Sequence, residues 1–344
     1  MAIRTALIGC GKIGQRHLQA LVHQNAIDLV ATVDINQEQA EAAAVAFDAA
    51  AFTDTLEMLD HADIDAAIIA TPSGLHRDLA LQVIERGKHV MVEKPLALAY
   101  HDAKAIVDAA QAHKVIAVVT QFNRLLPTIE KLLQAHQDGR LGRIVDAGVA
   151  VRWSRPQSYY DEAPWRGTFQ MDGGVLFNQA IHAIDVVLQI MGPVAEVFAY
   201  TATLTHQIEA EDSVAGTIRF KSGVLATVAA TTCVPKTNLE ERLTIVGENG
   251  VVVIGPTVNK VDTWRVGDDD EEDVRQKLLD LPSRPSWQSH HDALEDFADA
   301  ILQGNKPRLD AASALNGIAV VEGLMRSGRE GRVVKMSEIT GEGI

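Results

Sequence analysis

The sequence predicts an α/β protein with two domains, a doubly wound parallel sheet over residues 1–120 and an α+β domain over residues 121–344. Up to about residue 120, short apolar runs alternate with helical periods, which is the pattern of parallel strands buried on both faces. Beyond that point, hairpin patterns predict a large, open, mostly antiparallel sheet. A chain of 344 residues is long enough to form two hydrophobic cores.

The first domain is predicted element by element from its periodicity. Strands are expected at TALIGC, LVATVD, AAIIATP, HVMVEKP and VIAVVTQ, with helices at GQRHLQALVHQ, NQEQAEAAAVAF, HRDLALQVIERG and HDAKAIVDAAQAHK. Asn36 stands where a helix N-cap is preferred. Gly87 stands just beyond the third helix, where the backbone often turns left-handed. Strand-helix alternation of this kind predicts a parallel sheet.

The second domain begins with a connecting helix, TIEKLLQAHQDG, and then changes to paired strands. DSVAGTIRF and VLATVAATTC flank the turn KSG, and ERLTIV and VVVIG flank GENG, so two hairpins are expected. Helical periods return at SHHDALEDFADAIL and LDAASALNGIAVVEGLM. Because AEVFAYTATL and VLATVAATTCV are apolar or small on both faces, we expect the sheet to pack against another copy in a homodimer or homotetramer.

Composition excludes several classes of function. The net charge of −15 and the lack of a basic stripe argue against nucleic acid and anionic membranes as partners. The acidic run over residues 268–273 is typical of a solvated loop. Two distant cysteines, Cys10 and Cys233, exclude a disulfide scaffold and a cysteine-based zinc site. With no metal site indicated and no uncharged stretch of about 18 residues, we expect a cytoplasmic protein.

A glycine motif follows the first predicted strand. Gly9, Gly11 and Gly14 have the G-x-G-x-x-G spacing that lets a backbone approach a pyrophosphate at a helix N-terminus. Asp34 lies twenty residues beyond Gly14, where a carboxylate can bind the adenosine ribose. The alternative is a glycine turn with a helix-capping aspartate. Because a carboxylate repels a 2′-phosphate and the two residues after Asp34 are uncharged, the sequence predicts NAD rather than NADP.

Lys94 is the second candidate in this domain. It follows a buried strand in HVMVEKPLAL, and ligands of open α/β sheets bind beyond such strand ends. An ammonium beside a nicotinamide can polarise a substrate hydroxyl. A lysine at a strand end can also simply reach solvent.

The stretch GGVLFNQAIHAIDVV places polar residues in an apolar helix. Asn178 and His182 are spaced i, i+4 and so share a helix face. Burying such groups without partners costs a few kcal/mol, which favours a functional pair over a core histidine. Asp185 either bonds an imidazole nitrogen of His182 and fixes its tautomer, or is an ordinary surface acid. We expect Asn178 and His182 to face a cleft between the domains, opposite Lys94.

Four motifs occur in order, IGCGKIGQRH, ATPSGLH, VEKPLAL and GGVLFNQAIHAID. With them, the chain resembles the glucose-fructose oxidoreductase / inositol dehydrogenase / MocA family over nearly its whole length. QFNRLLP, YYDEAPWRGTFQMDGG, TATLTHQIEAED and NLEERLTIVGENG are further similar to bacterial UDP-N-acetylglucosaminuronate 3-dehydrogenases. The resemblance implies a Rossmann domain followed by a substrate domain.

The resemblance also implies roles for individual residues. Lys94 and His182 would form the catalytic pair. Substrate contacts would come from Asn178, Arg124, Tyr159, Tyr160 and Arg166. Cofactor contacts would come from Gly9, Gly11, Lys12, Ile13, Gly14, Asp34, Thr71, Pro72, His76, Glu93, Lys94, Gln121, Trp165 and Arg166, with Glu93 on the nicotinamide ribose. Many family members have aspartate where this chain has Asn178; an amide does not titrate, so acid-base work falls to His182 or Lys94.

These implications lead to one hypothesis with alternatives. The protein is expected to oxidise a secondary hydroxyl of a pyranose, possibly a nucleotide sugar at its 3-position, by hydride transfer to NAD. An inositol dehydrogenase-like polyol oxidoreductase uses the same site, as does an enzyme that keeps its NAD bound. A non-catalytic NAD-sensing regulator is possible on the same fold, although such a protein needs neither Lys94 nor His182.

Overall fold

The computed structural model describes residues 2–279, 281 and 284–341. Residues 1, 280, 282, 283 and 342–344, which the two predicted domains include, lie outside the described residues. The strands are β1 (Ile3–Ile8), β2 (Ile27–Val33), β3 (Ala50–Phe52), β4 (Ala66–Ile69), β5 (His89–Val92), β6 (Ala117–Val119), β7 (Ile144–Arg152), β8 (Val194–Ala202), β9 (Ser213–Phe220), β10 (Leu225–Thr231), β11 (Glu240–Gly247), β12 (Gly250–Ile254), β13 (Val261–Val266) and β14 (Val334–Lys335).

The helices frame two sheets. They are α1 (Lys12–Leu21), α2 (Gln37–Ala44), α3 (Thr55–His61), α4 (His76–Glu85), α5 (Tyr100–His113), α6 (Pro127–Gln137), α7 (Gln157–Asp161), α8 (Ile181–Met191), α9 (Glu271–Leu279), α10 (Gln288–Gln303), α11 (Leu315–Glu330) and α12 (Ser337–Thr340), with a π-helical turn at Leu176–Ala180. Over the described residues, no helix combines the length and the hydrophobicity needed to cross a membrane.

The first sheet confirms the predicted doubly wound fold. Its strands are all parallel, in the order β3-β2-β1-β4-β5-β6. The order reverses between β1 and β4, and ligands of such sheets bind at the carboxyl ends of the strands beside this point. The loops after β1, β4 and β5 therefore carry the candidate cofactor residues to one edge.

Local signals explain most of the first domain. Asn36 caps α2 as expected, because its Oδ1 accepts from Glu38 N at 3.0 Å and Gln39 N at 3.3 Å. Gly87 has φ +70° after α4. The prediction missed β3 and α3. Strand β3 is short and largely exposed, so it shows no alternation, but Asp54 N-caps α3 by accepting from Glu57 N at 2.9 Å, a capping pattern visible in the sequence.

The chain divides into two compact units, and the division differs from the single boundary expected at residue 120. The first unit comprises residues 1–97, 101–122 and 284–315, and the second comprises residues 98–100, 123–283 and 316–344. Helix α10 thus belongs to the first unit, where it packs against α1 with Leu294 and Phe297 fully buried. Its apolar face fits either domain, so periodicity alone does not assign it.

The second sheet has the order β13-β12-β11-β7-β10-β9-β8-β14. Both predicted hairpins, β9-β10 and β11-β12, are present, and β7 and β10 form a parallel pair within the otherwise antiparallel sheet. Helix α8 packs against β7 and β11 on one face. On the other face, Thr217, Thr227, Gly148 and Thr244 lie side by side and are partly or fully exposed.

Candidate functional site

The glycine loop after β1 packs so closely against neighbouring backbone that two of its positions leave no space for a side chain. Gly9 has φ +95°, and a Cβ there would lie 2.7 Å from the carbonyl of Ala70. A Cβ on Gly14 would lie 2.2 Å from the carbonyl oxygen of Gly9, so α1 can start this close to the loop only with glycine. A Cβ on Gly11 meets nothing within 4 Å. That open side is the one a pyrophosphate would approach, beside Lys12 and Ile13 in the exposed first turn of α1.

Asp34 borders the glycine loop at the end of β2. Its Oδ2 accepts from Cys10 N at 2.9 Å, and its Oδ1 accepts from Asn36 N at 2.9 Å. Burial and the neighbouring Asp34 charge raise the pKa of Cys10 to about 12, so this thiol stays protonated. The carboxylate is thus held beside the loop, and its ribose contact stays a prediction.

The edge beyond β4 and β6 carries three more predicted cofactor residues. Thr71 and Pro72 follow β4 and are partly exposed. Gln121 follows β6, and its buried Oε1 has no hydrogen-bond partner among the described residues. A buried acceptor of this kind requires a donor from a ligand or water. The open side of Gly11 and this acceptor are consistent with a bound dinucleotide.

His76 was predicted to contact the cofactor, and its ring lies between two loops of the first unit. The ring is fully buried, with Nδ1 2.7 Å from Pro95 O and Nε2 3.0 Å from Thr71 O. Both ring nitrogens therefore face backbone carbonyls, and a contact of His76 with the cofactor stays a prediction. Burial lowers the pKa of His76. The residue ties the loop after β4 to the turn after β5.

Lys94 lies in that turn, partly exposed, with its backbone N donating to Thr120 Oγ1 at 3.0 Å. Its neighbour Glu93 is buried, and Glu93 Oε1 lies 2.8 Å from His17 Nε2. The carboxylate is thus paired inside the first unit, and the contact of Glu93 with a nicotinamide ribose stays a prediction. Sequence patterns missed this pairing, which joins residues 76 positions apart.

In the second unit, the segment carrying Asn178 and His182 is not a uniform α-helix. Leu176–Ala180 forms a π-helical turn, and α8 begins only at Ile181. Such turns occur often at functional sites. Asn178 is partly exposed and donates to the buried Asp172, whereas His182 is 7% exposed. A π-helical turn contains one residue more than an α-helical turn. The relation between Asn178 and His182 therefore differs from the regular i, i+4 spacing that the sequence predicted.

Glu211 holds the start of this segment. Its backbone O accepts from Val175 N at 3.0 Å and its Oε1 accepts from Leu176 N at 3.2 Å. A Cβ on Gly174 would lie 2.4 Å from that carboxyl group, and Gly174 has φ +72°, so glycine is required there. Burial raises the pKa of Glu211 to about 7. Glu211 and Arg329 line a cavity of about 210 Å³.

Two predicted substrate residues have partners within the second unit. The guanidinium of Arg124 is buried and forms a bidentate ion pair with Asp185, at 2.6 Å from Nε and 2.5 Å from Nη2. Asp185 is 2% exposed, so the surface-acid alternative is wrong, and its partner is this arginine. Tyr160 is also buried, and its hydroxyl lies 2.9 Å from Thr232 Oγ1. Both side chains thus have polar partners within the second unit, and their contact with substrate stays a prediction.

Tyr159, Trp165 and Arg166 lie together as a stacked cluster. The guanidinium of Arg166 lies 4.2 Å from the centre of the Tyr159 ring and 4.8 Å from that of Trp165. Arg155, which sequence reasoning missed, lies 5.0 Å from the Trp153 ring and 5.3 Å from Tyr159. We call these five residues the arginine-aromatic cluster. Arg155 Nη1 donates to Ser154 O at 2.8 Å, and Arg166 Nη2 lies 3.5 Å from Glu162 Oε2, so part of each guanidinium edge is already occupied. Guanidinium groups match the geometry of carboxylate and phosphate groups.

The parallel sheet and its glycine loop define a dinucleotide-binding domain. A family model described as "Oxidoreductase family, NAD-binding Rossmann fold" matches residues 3–121, and one described as "GFO/IDH/MocA C-terminal domain" matches residues 129–253. The chain therefore belongs to the glucose-fructose oxidoreductase / inositol dehydrogenase / MocA family, as its motifs predicted. It is an NAD-dependent enzyme that acts on the CH–OH groups of sugars or polyols.

Several known proteins are similar along the full chain. The WlbA dehydrogenase from Bordetella pertussis, solved in complex with NADH and UDP-GlcNAcA, has a TM-score of 0.91 and 34% identity over 97% of each chain. Myo-inositol 2-dehydrogenase from Thermotoga maritima is 24% identical over 98% of this chain and 100% of its own. Inositol 2-dehydrogenase from Rhizobium meliloti is 26% identical with the same coverage.

The buried Glu211 leads to a prediction about stability and pH. The folded protein keeps the Glu211 proton up to a pKa of about 7, whereas the unfolded chain releases it near the ordinary value of 4.5. The folded state then binds more protons within this window, so the contribution of Glu211 to stability falls as the pH rises from 4.5 to 7. Relative to Glu211→Gln, wild type should lose about 3 kcal/mol of unfolding free energy across the window.

Urea unfolding at a series of pH values measures this difference. Other titrating groups are common to both proteins and cancel in the comparison. The exposed Glu85→Gln variant serves as the control and should follow wild type throughout. Parallel curves for wild type and Glu211→Gln would contradict the assignment.

Proposed function

We propose that the substrate is a UDP-linked pyranose bearing a carboxylate, and that the enzyme oxidises its 3-hydroxyl to a ketone. The observation that carries this proposal is the similarity to the WlbA dehydrogenase, whose structure contains NADH and UDP-GlcNAcA, over nearly the full length of both chains. The inositol dehydrogenases also match at full length, but with lower identity.

The arginine-aromatic cluster supports an anionic substrate. A diphosphate and a sugar carboxylate both carry negative charge, and the fork of an arginine matches either group with two hydrogen bonds. Arg155 and Arg166 are both partly exposed and both stack on Tyr159. Neutral polyols such as inositol offer no charge for these groups. The cluster therefore favours a nucleotide-sugar acid over an uncharged polyol.

In the proposed mechanism, bound NAD would serve as the acceptor for the hydride from the sugar carbon. His182 accepts the proton of the sugar hydroxyl, and the ammonium of Lys94 stabilises the negative charge that grows on the oxygen. Asn178 orients the substrate, since an amide does not exchange a proton. Asp34 would bind the adenosine ribose, and Thr71, Pro72 and Gln121 would line the rest of the dinucleotide path.

The substrate assignment is tested by NADH formation with a panel of compounds. We expect UDP-N-acetylglucosaminuronate to give NADH at a kcat/KM at least about a hundredfold above that of UDP-N-acetylglucosamine, because an unpaired binding group rejects the analogue that lacks its partner. Myo-inositol and free hexuronates serve as controls. Turnover of myo-inositol at a comparable kcat/KM would instead identify a polyol dehydrogenase.

The catalytic assignment is tested with His182→Ala and Lys94→Ala. A positioned general base contributes about 10²–10⁴-fold, so each variant should lose kcat in this range. NADH affinity of His182→Ala, measured by fluorescence, should stay near wild type. Asn178→Asp should keep activity but change the pH profile of kcat/KM. A variant of His182 or Lys94 that retains more than about a tenth of wild-type kcat would remove that residue from the chemistry.

We also propose that the protein forms a homodimer or homotetramer through the outer face of its second sheet. The central row of that face is made of Thr217, Thr227, Gly148 and Thr244, and Tyr200 beside it is 70% exposed. Light scattering at micromolar concentration should show a dimer or tetramer. Thr227→Arg should shift the mass toward the monomer, because it places a charge within the row. A monomeric wild type would exclude this interface.

A further inference from the structure

A buried polar cluster lies directly beneath the turn that carries Lys94. It joins three elements of the first unit, since Glu93 follows β5, His17 belongs to α1 and His290 belongs to α10. The exposed fractions are 5% for Glu93, 0% for His17 and 7% for His290. Glu93 Oε1 lies 2.8 Å from His17 Nε2 and 3.8 Å from His290 Nε2. The His17–Glu93 contact is a hydrogen bond, whereas His290 Nε2 lies beyond hydrogen-bond distance and neither of its ring nitrogens has a hydrogen-bond partner among the described residues.

The charge states follow from the contacts. Burial by itself would raise the pKa of Glu93, but the hydrogen bond and charge of His17 outweigh it and lower the value to about 2. Burial lowers the pKa of His290 to about 4. At neutral pH, Glu93 is therefore a carboxylate and His290 a neutral imidazole. Because a carboxylate only accepts hydrogen bonds, His17 donates its Nε2 proton to Glu93.

Two histidines and a glutamate could also suggest a metal site. Ligand atoms about 2.0–2.1 Å from a tetrahedral zinc ion would lie about 3.3 Å apart. The 2.8 Å between His17 and Glu93 is instead a normal hydrogen-bond length. The His290 ring meets the His17 ring edge-on, with centroids 4.9 Å apart, as two packed rings do. The geometry favours a hydrogen bond between His17 and Glu93, with the neutral imidazole of His290 packed against the His17 ring.

The pair is connected to the backbone of Lys94 through Thr120. The Thr120 hydroxyl accepts from Lys94 N at 3.0 Å and bonds to the carboxylate of Glu93. A hydroxyl has one proton, so the oxygen that accepts from Lys94 donates that proton to Glu93. On the other side of the turn, Pro95 O lies 2.7 Å from the His76 ring. The turn is thus fixed on both sides by buried groups.

We propose that Glu93 is a positioning residue that acts through Lys94 rather than on the cofactor. Its carboxylate, held by His17, orients the Thr120 hydroxyl, which in turn holds the backbone of the Lys94 turn and so sets where the ammonium stands. The inference rests on the catalytic role of Lys94 in the proposed function. It assigns to Glu93 a task that needs its charge but no contact with NAD or sugar.

A double-mutant cycle tests whether Glu93 acts through Lys94. In Glu93→Gln, the side chain keeps one acceptor oxygen in place of two, so it accepts less well from His17 and Thr120 together, and the negative charge is lost. We expect kcat to fall at least about tenfold, the effect of one charge-assisted hydrogen bond, with little change in the KM for NAD or sugar. In the Lys94→Ala background, Glu93→Gln should then cause no further loss. Glu85→Gln on the surface of α4 is the matched control and should leave kcat unchanged.

A second pair of variants tests the connection itself. Thr120→Val removes the hydroxyl and keeps the shape, so it should lower kcat as Glu93→Gln does. Thr120→Ser keeps the hydroxyl and should restore most of the activity. Hydrogen exchange at the Lys94 amide, measured by mass spectrometry on peptides covering residues 90–99, should accelerate in Glu93→Gln and Thr120→Val but not in Thr120→Ser or Glu85→Gln.

The outcomes separate this inference from the proposed function. A loss from Glu93→Gln that is equally large in the Lys94→Ala background would overturn the positioning role. So would a weaker NADH affinity with unchanged kcat, since that result assigns Glu93 to the cofactor. If Lys94→Ala stays active, the proposed mechanism fails, and the hydrogen-exchange result alone decides whether Glu93 holds the turn. Unchanged hydrogen exchange at the Lys94 amide in both Glu93→Gln and Thr120→Val would exclude the role of Glu93 in holding the turn.

Discussion

The placement of the predicted cofactor residues in the first unit depends on the parallel pairing of the strands in the first sheet. Parallel strands end at the same edge, so residues that are far apart in sequence meet there without any contact of their own. Gly9, Asp34, Thr71, Lys94 and Gln121 each follow a different strand of this sheet. The pairing of β1 with both β2 and β4 also creates the point at which strand order reverses. If one strand shifted along its neighbours, the predicted cofactor residue that follows this strand would move away from the others.

The placement of the predicted substrate residues in the second unit depends on a different constraint, the start of the helix that carries His182. A helix N-terminus leaves backbone N–H groups that need acceptors. Glu211 supplies two acceptors, its backbone O and its carboxylate, and Gly174 leaves the space for the carboxylate. The π-helical turn then offsets Asn178 from the regular spacing of α8. Asn178 and Asp185 are in turn held by partners outside the apolar segment, Asp172 and Arg124, which explains why the segment tolerates these two residues.

Much of the fold was predictable because its signals are local. Caps such as Asn36, left-handed glycines such as Gly87 and the two hairpins of the second sheet depend on a few neighbouring residues. The partners of buried polar groups were not predictable in this way. Nothing near Arg124 in the sequence indicates Asp185, and nothing near His17 indicates His290, because such pairs form only when distant elements pack. Sequence patterns thus identified candidate residues more readily than the partners that these residues contact in the folded chain.

The buried carboxylates show how the same side chain is set to opposite charge states. Glu93 has two donors, His17 and Thr120, and its pKa is lowered to about 2. Burial raises the pKa of Glu211, which accepts from backbone N–H groups, to about 7, and that of Glu241, which accepts from Asn123, also to about 7. Burial acts on all three in the same direction, so the hydrogen bond and charge of His17 account for the lower pKa of Glu93. Of the three, the carboxylate of Glu93 is the one whose pKa lies well below neutral, so it carries a full negative charge at neutral pH beside the turn that contains Lys94.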